Sequence, residues 1–252
     1  MDFINVYQHG LLPDISLGVE LAVLFGCIVI GYLLGSLNSA VILSKIMYRD
    51  DIRRHGSGNA GTTNMMRTYG KKAAILTLAF DMLKAGVAVW IGILLLGENA
   101  AYVAGAACIV GHCYPLYHKF KGGKGVAVAA SMCLFANPIV FLILLVFFVI
   151  IVAFTKYISL GSVIGILMLP VLLNNYYSML GRAVPLTVLI PVLFVTVFII
   201  WQHRSNIKRL WEGKENKFSF KKSEKTAKER QQDAQREARE DRESGENRAD
   251  RG

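Results

Sequence analysis

Three short stretches of this chain gather residue types that bind phosphate. The first reads Asp51-Ile52-Arg53-Arg54-His55-Gly56-Ser57-Gly58-Asn59-Ala60-Gly61-Thr62-Thr63-Asn64, with Arg67 close behind. Glycines alternating with Ser, Asn and Thr let main-chain N–H groups converge on an anion, and nearby arginines add bidentate contacts. The pattern is neither a Walker A loop nor a strand-to-helix dinucleotide loop, so nucleotide binding is poorly supported. A plain Gly-rich connector has the same composition. The second stretch is Gly111-His112-Cys113-Tyr114-Pro115 followed by Phe120-Lys121-Gly122-Gly123-Lys124-Gly125. Two lysines bracket a glycine pair at the mouth of a helix, where the helix N-terminus adds partial positive charge. A basic loop that merely fixes topology looks alike. The third is His203-Arg204-Ser205-Asn206-Ile207-Lys208-Arg209, in which a spacing of three puts His203 and Asn206 on one helical face. Alone, it also fits a snorkelling basic collar.

The elements that must position these residues are read from charge. Of 252 residues, 54% are hydrophobic and 18% charged, with 28 Lys and Arg against 18 Asp and Glu. The last 39 residues hold 12 of the basic and 10 of the acidic side chains, so the preceding 213 are far more apolar than the average. Ordinary globular chains are roughly a quarter charged, and long uncharged apolar runs mark membrane spans. A soluble enzyme and a disulfide-stapled secreted domain are both excluded; the chain reads as an all-α polytopic membrane protein. Cys27, Cys108, Cys113 and Cys133 sit in or beside apolar segments without zinc spacing and read as small buried hydrophobes. No metal or other cofactor is expected. The net charge of +10 does not call for nucleic acid, because the basic residues lie between apolar runs without interleaved aromatics.

Between Glu20 and Lys45 lie 24 uncharged residues, enough for one crossing at about 20 residues each. Further spans fall at 73–97, interrupted by Asp81 and Lys84, at 99–118, and at 157–181 and 183–203. The run 125–155 is broken by Asn137-Pro138, a turn signal. Read as a hairpin, it gives seven transmembrane helices, the fourth with only about 12 apolar residues, short or tilted. Positive residues collect on the cytoplasmic side. Seven spans place 49–72, 119–124, Lys156 and the tail together there, with the N-terminus outside and the C-terminus cytoplasmic; six would put the tail opposite the basic loops. With acidic Asp2 and Asp14 and a long first apolar run, the N-terminal region does not resemble a cleaved signal peptide. Asp81 and Lys84, three apart, read as an intrahelical pair, although ionisable groups inside spans are functional candidates by default. Ser36, after Gly35, and Ser162, in Ser159-Leu160-Gly161-Ser162, can lend hydroxyls or close helix packing. His9 and Asp14 match a His-x4-Asp acyltransferase spacing but lie on the outer side, away from every anion-binding element, and are set aside.

In this order and spacing, Asp51-Ile52-Arg53 with the Gly56 to Asn64 loop, Asp81-Met82-Leu83-Lys84, Gly111 to Gly125, and His203 to Leu210 with Glu215 resemble the bacterial acyl-phosphate-dependent glycerol-3-phosphate acyltransferase family over roughly 17–215. The resemblance implies an integral enzyme of the bacterial plasma membrane with its active site facing the cytoplasm. Its expected partners are acyl phosphate, glycerol 3-phosphate and membrane lipid; its reaction gives 1-acyl-glycerol 3-phosphate (lysophosphatidic acid) and phosphate. It implies a phosphate-binding set of Ser36, Arg53, Lys121, Gly122, Gly123, Lys124, Ser162, His203 and Asn206, to which the first loop adds Gly56, Ser57, Gly58, Asn59 and Asn64. His203 is a candidate base, although a substrate phosphate oxygen can take the proton. The family usually has Gly directly after the lysine of the Asp-x-x-Lys element, where Ala85 stands here before Gly86. The domains expected are a membrane acyltransferase domain, 1–213, and a charged cytoplasmic tail, 214–252, helical or disordered, whose removal after Glu215 leaves activity intact. The competing reading is a transporter or channel for an anionic solute, which calls for ionisable residues spread through the spans and for internal repeats.

Overall fold

A computed structural model describes residues 3–12 and 15–218 of the chain. Asp14, and with it the His9–Asp14 spacing, lies outside the described residues, as does most of the charged tail. Among the described residues every regular element is a helix: α1 (Phe3–His9), α2 (Leu17–Ser36), α3 (Ser39–Tyr48), α4 (Thr62–Tyr69), α5 (Lys71–Leu96), α6 (Glu98–Cys113), α7 (Val126–Ala136), α8 (Pro138–Thr155), α9 (Ile158–Met179), α10 (Leu186–Gln202) and α11 (Arg204–Trp211). Two 3-10 turns, Ile52–Arg54 and Leu116–His118, sit in the connecting loops.

The protein is all-α and built for lipid. Four helical stretches are long and apolar enough to cross a membrane: Leu17–Tyr48, Lys71–Leu96, Pro138–Thr155 and Ile158–Met179. α10 and α11 make a fifth if counted as one bent span. In α8 only Val140 is buried, while Ile139, Leu142, Val146, Val149 and Phe154 are exposed, a surface that water would not tolerate but hydrocarbon does. Segments expected at 99–118 and 125–137 are helical but short: α6 has 16 residues and α7 has 11. α6 stops at Cys113 because Pro115 disfavours helical geometry in the residue before it, and Tyr114 is non-helical (φ −123°, ψ 67°).

The break expected at Asn137-Pro138 is present. Asn137 leaves helical geometry, and its side chain accepts from Val140 N at 3.0 Å, capping α8, whose first residue is Pro138. A second break was not anticipated. The first apolar run divides at Leu37 and Asn38, where Asn38 Oδ1 accepts from Val41 N at 3.1 Å and starts α3. The bundle centre is made by α2, α5 and α6. Their contact depends on glycine: a Cβ on Gly35 would lie 2.1 Å from Cys108 O, and one on Gly111 2.2 Å from Tyr32 O. The four cysteines are buried and free, as expected of packing residues.

Candidate active site

The three stretches singled out by their chemistry meet at one end of the bundle. The first loop lies on the second: Ala60 N donates to Gly122 O at 3.4 Å, and a Cβ on Gly123 would come within 2.8 Å of Ala60 O. Arg53 clamps them together. Its Nη1 donates to His118 O at 2.7 Å and Lys121 O at 3.3 Å, while Nε and Nη2 hold Asp51 at 2.9 and 2.6 Å. That hydrogen-bonded guanidinium keeps the Asp51 carboxyl down at about 2. Asn38 adds a link from α3, donating to Ala60 O (3.4 Å) and His112 O (3.5 Å).

Several main-chain N–H groups of the two loops are engaged within them. Ser57 N donates to Asn64 Oδ1, Gly58 N to His55 O, Ala60 N to Gly122 O and Gly61 N to Asn59 O. Gly122 N and Gly123 N donate to Cys113 O and His112 O. These N–H groups stabilise the loops and do not converge on open space. Asn64 organises the first loop from within, its Nδ2 reaching Ile52 O and His55 O at 3.2 and 2.9 Å. Gly56 and Gly58 supply the left-handed turns (φ 57° and 70°) that let the chain wrap it. Side-chain cations are gathered at the same end.

Those cations sit where loop two meets α11. Asn59, Lys121, Gly122, Gly123 and Lys124 line a cavity of about 290 Å³ together with Gln202 and Arg204. Lys124 donates from Nζ to Asn206 Oδ1. Asn206 passes the contact on to Glu215 Oε1 at 2.8 Å, which also accepts from Ser159 Oγ at 3.1 Å, while Glu215 Oε2 accepts from Arg209 Nε at 2.7 Å. Burial by itself would raise the Glu215 carboxyl, but the hydrogen bonds from Asn206, Arg209 and Ser159 hold it below its ordinary value. Lys124 is pushed down to about 8, first by burial and then by the positive charge of Arg209 and Arg67, with Glu215 opposing. A half-desolvated ammonium among other cations is poised to gain an anionic partner.

Other expected site residues are placed differently. Ser36 is fully buried; its Oγ donates to Tyr32 O and accepts from Leu116 N at 3.2 Å, so it locks α2 to loop two. Ser162 Oγ donates within its own helix to Ile158 O at 2.8 Å. His203 does not share one continuous helix with Asn206: α10 ends at Gln202, and α11 leaves at 55°. His203 Nδ1 faces Ile199 O at 2.8 Å, and both His203 and Asn206 are buried at the bend. Asp81 and Lys84 pair within α5 at 2.9 Å, as their spacing implies, but His112 joins them from α6. Glu215 as the hub of the α11 contacts, Asn38 as a loop tie and His112 in the buried pair were not legible as such. Each has a partner tens of residues away in sequence, and the loop that carries Glu215 has no periodicity.

A family model described as glycerol-3-phosphate acyltransferase matches residues 25–213. Relatives called glycerol-3-phosphate acyltransferase include one from Thermoanaerobacter pseudethanolicus, 42% identical over 193 residues, covering 77% of this chain and 94% of that one. Another, from Clostridioides difficile, is 42% identical over 200 residues and covers 77% and 95%. Among solved structures, the chain is similar to PlsY, an integral membrane glycerol 3-phosphate acyltransferase. Against its glycerol 3-phosphate form the TM-score is 0.71 at 32% identity, covering 78% of this chain and 96% of that one. Against its lysophosphatidic acid form the TM-score is 0.69 at 30% identity, covering 80% and 98%. Built on these motifs, this helical fold and a cationic end assembled from three stretches, the chain belongs to the glycerol-3-phosphate acyltransferase family.

Proposed function

We propose that the chain transfers an acyl group from acyl phosphate to the 1-hydroxyl of glycerol 3-phosphate, giving 1-acyl-glycerol 3-phosphate and inorganic phosphate. The observation that carries this reading is Lys124, half-buried at the junction of loop two and α11, lining the cavity and surrounded by Arg67, Arg209 and one compensating carboxylate. Both substrates and both products carry phosphate, the charge such a site lacks. PlsY, with its glycerol 3-phosphate and lysophosphatidic acid forms, supports the same acceptor and product. An acyl phosphate is already activated, so no covalent enzyme intermediate is demanded. The site brings hydroxyl and carbonyl together, a contribution of about 7–11 kcal/mol in well-oriented systems, and stabilises the developing oxyanion with fixed positive charge. We assign phosphate binding to Lys124, Lys121 and Asn206, with Arg53, Ser36 and the glycine loops holding them in place. The buried His203 accompanies Lys124 at the α10–α11 bend, and a substrate phosphate oxygen accepts the hydroxyl proton.

We place seven spans across the bacterial plasma membrane, with the site at the cytoplasmic face. The short α6 and α7 are supported as spans by their burial between longer neighbours, and the positive charge of the site end supports its cytoplasmic side. The transporter reading is not favoured: among the described residues Asp81, Lys84 and His112 are buried together at one place, not strung along a path.

Mixing the purified protein with acyl phosphate and glycerol 3-phosphate tests the assignment by phosphate release. Acyl-group-dependent release with formation of 1-acyl-glycerol 3-phosphate is expected; none from a folded sample would overturn it. The pH profile adds a second check. Lys124 is protonated below about 8 and neutral above it, so anion affinity falls as pH rises through that value. The KM of a phosphate-bearing substrate should climb between pH 8 and 9, and Lys124→Arg should remove that climb because guanidinium does not titrate there. The tail gives another test. Phe218 N donates to Lys156 O at 2.7 Å and the Lys217 ammonium lies over the Tyr157 ring, so the informative cut lies after Phe218, not Glu215. Truncation there should leave kcat/KM unchanged in the purified enzyme.

A further inference from the structure

Beneath the phosphate-binding side chains lies a second charged cluster that the mechanism does not use. Asp81 and Lys84 of α5 and His112 of α6 are all buried within the bundle. Lys84 has three ammonium protons, and three acceptors surround it: Gly35 O at 3.1 Å, Leu37 O at 2.9 Å and His112 Nδ1 at 3.1 Å. Asp81 Oδ1 provides the countercharge at 2.9 Å, accepts from Ser39 Oγ at 2.8 Å and lies 3.4 Å from His112 Nδ1.

Stability alone is a weak reason for such a cluster, because apolar residues of similar volume often serve as well. What sets it apart is what it holds. Gly35 and Leu37 flank Ser36 at the C-terminal end of α2, where main-chain carbonyls lack helical partners and a cation is favoured. Ser36 in turn receives Leu116 N at the start of loop two. His112 extends the same grip. Its carbonyl accepts from Gly123 N at 3.1 Å, and its ring is pressed so closely to the turn that a Cβ on Gly123 would fall 2.0 Å from Nε2. The next residue is Lys124. One ammonium and one imidazole thus fix the end of α2 and the Gly122-Gly123 turn relative to each other.

We propose that Asp81, Lys84 and His112 are positioning residues for acyl transfer, holding the Ser36 segment and the Gly122-Gly123 turn in the register that presents Lys124 to phosphate. The proposal rests on the acyltransferase reading. Asparagine at position 112 can put an acceptor where Nδ1 stood, whereas alanine cannot. Wild type, His112→Asn and His112→Ala are purified as full chains in detergent, and phosphate release is followed across the concentrations of both substrates. Thermal unfolding is recorded on the same preparations.

His112→Ala should lose about 10²-fold in kcat/KM, the scale of a displacement near 1 Å, with both kcat and KM affected and the protein still folded at the assay temperature. His112→Asn should recover about tenfold or more of that loss. Activity of folded His112→Ala within about threefold of wild type would overturn the proposal, as would a His112→Asn no better than His112→Ala, because a filler role alone gives no such rescue. Should His112→Ala fail to fold, Gly123→Ala probes the same contact with every charge intact; wild-type kcat/KM in that variant would equally overturn it. No phosphate release from the wild-type chain is a different failure, for it removes the acyltransferase reading itself and this proposal with it.

Discussion

Replacing Lys124 with alanine should lower kcat/KM by about 10²–10³-fold while leaving the fold in place, the range found when one preorganised electrostatic donor is removed from an active site. The residue is the point where three parts of the molecule converge. Loop two delivers it past the Gly122-Gly123 turn, α11 meets it through Asn206, and Arg67 and Arg209 add to the positive field around it. Alanine removes the charge and leaves Asn206 without its donor. The folded state should survive because burial of the ammonium among cations opposes its charged form, so little stability is forfeited. The decisive measurement is phosphate release by purified Lys124→Ala beside its thermal midpoint. Activity within about tenfold of wild type would show that phosphate is bound elsewhere.

The second large effect is on folding. Gly35→Ala and Gly111→Ala should each destabilise the protein by about 3 kcal/mol or more, the upper part of the range for overpacking, since the new methyl meets main chain and not a side chain that can rotate away. At Gly35 it would lie 2.1 Å from Cys108 O, and at Gly111 2.2 Å from Tyr32 O and 3.0 Å from Ser36 N. α2 and α6 would have to separate, carrying Ser36 away from Leu116 and Gly35 O away from Lys84. Unfolding midpoints in detergent, with Gly165→Ala as a control where a Cβ meets nothing within 4 Å, would decide. Unchanged midpoints in both variants would mean the helices have room that their glycines do not indicate.

Much of this is legible in the amino-acid sequence. Charged residues punctuate the spans because an ionisable group at bilayer depth is costly, so Glu20, Lys45, Glu98 and Arg182 mark the margins of apolar runs. Asn137-Pro138 signals its break by local chemistry: a side chain that caps, then a ring suited to the first helical position. The Asp81–Lys84 pair follows from helical spacing alone. Less legible was everything carried by distant partners. Arg53 reads in sequence as a phosphate-binding cation; that its guanidinium also reaches Asp51, His118 O and Lys121 O is set by the fold. Asn64 reads in sequence as part of the first glycine loop; that its side chain ties Ile52, His55 and Ser57 together is set by the fold. The bend at His203 escaped a spacing argument that assumed one helix through Asn206.

Composition and local pattern determined that this chain enters a membrane, which residue types are suited to binding phosphate and the family it resembles, because hydropathy and motif spacing act over a few residues at a time. Which helix faces meet, and so which side chains meet, was decided only by the tertiary structure. Helices such as α2 and α8 are apolar around their whole circumference, so lipid and protein neighbours are equally greasy and hydrophobicity cannot choose between them. Shape chooses instead. Close approach at Gly35 and Gly111 brings α2 onto α6, and that contact places His112 beside Lys84, Ser36 beside Leu116 and the two loops against each other.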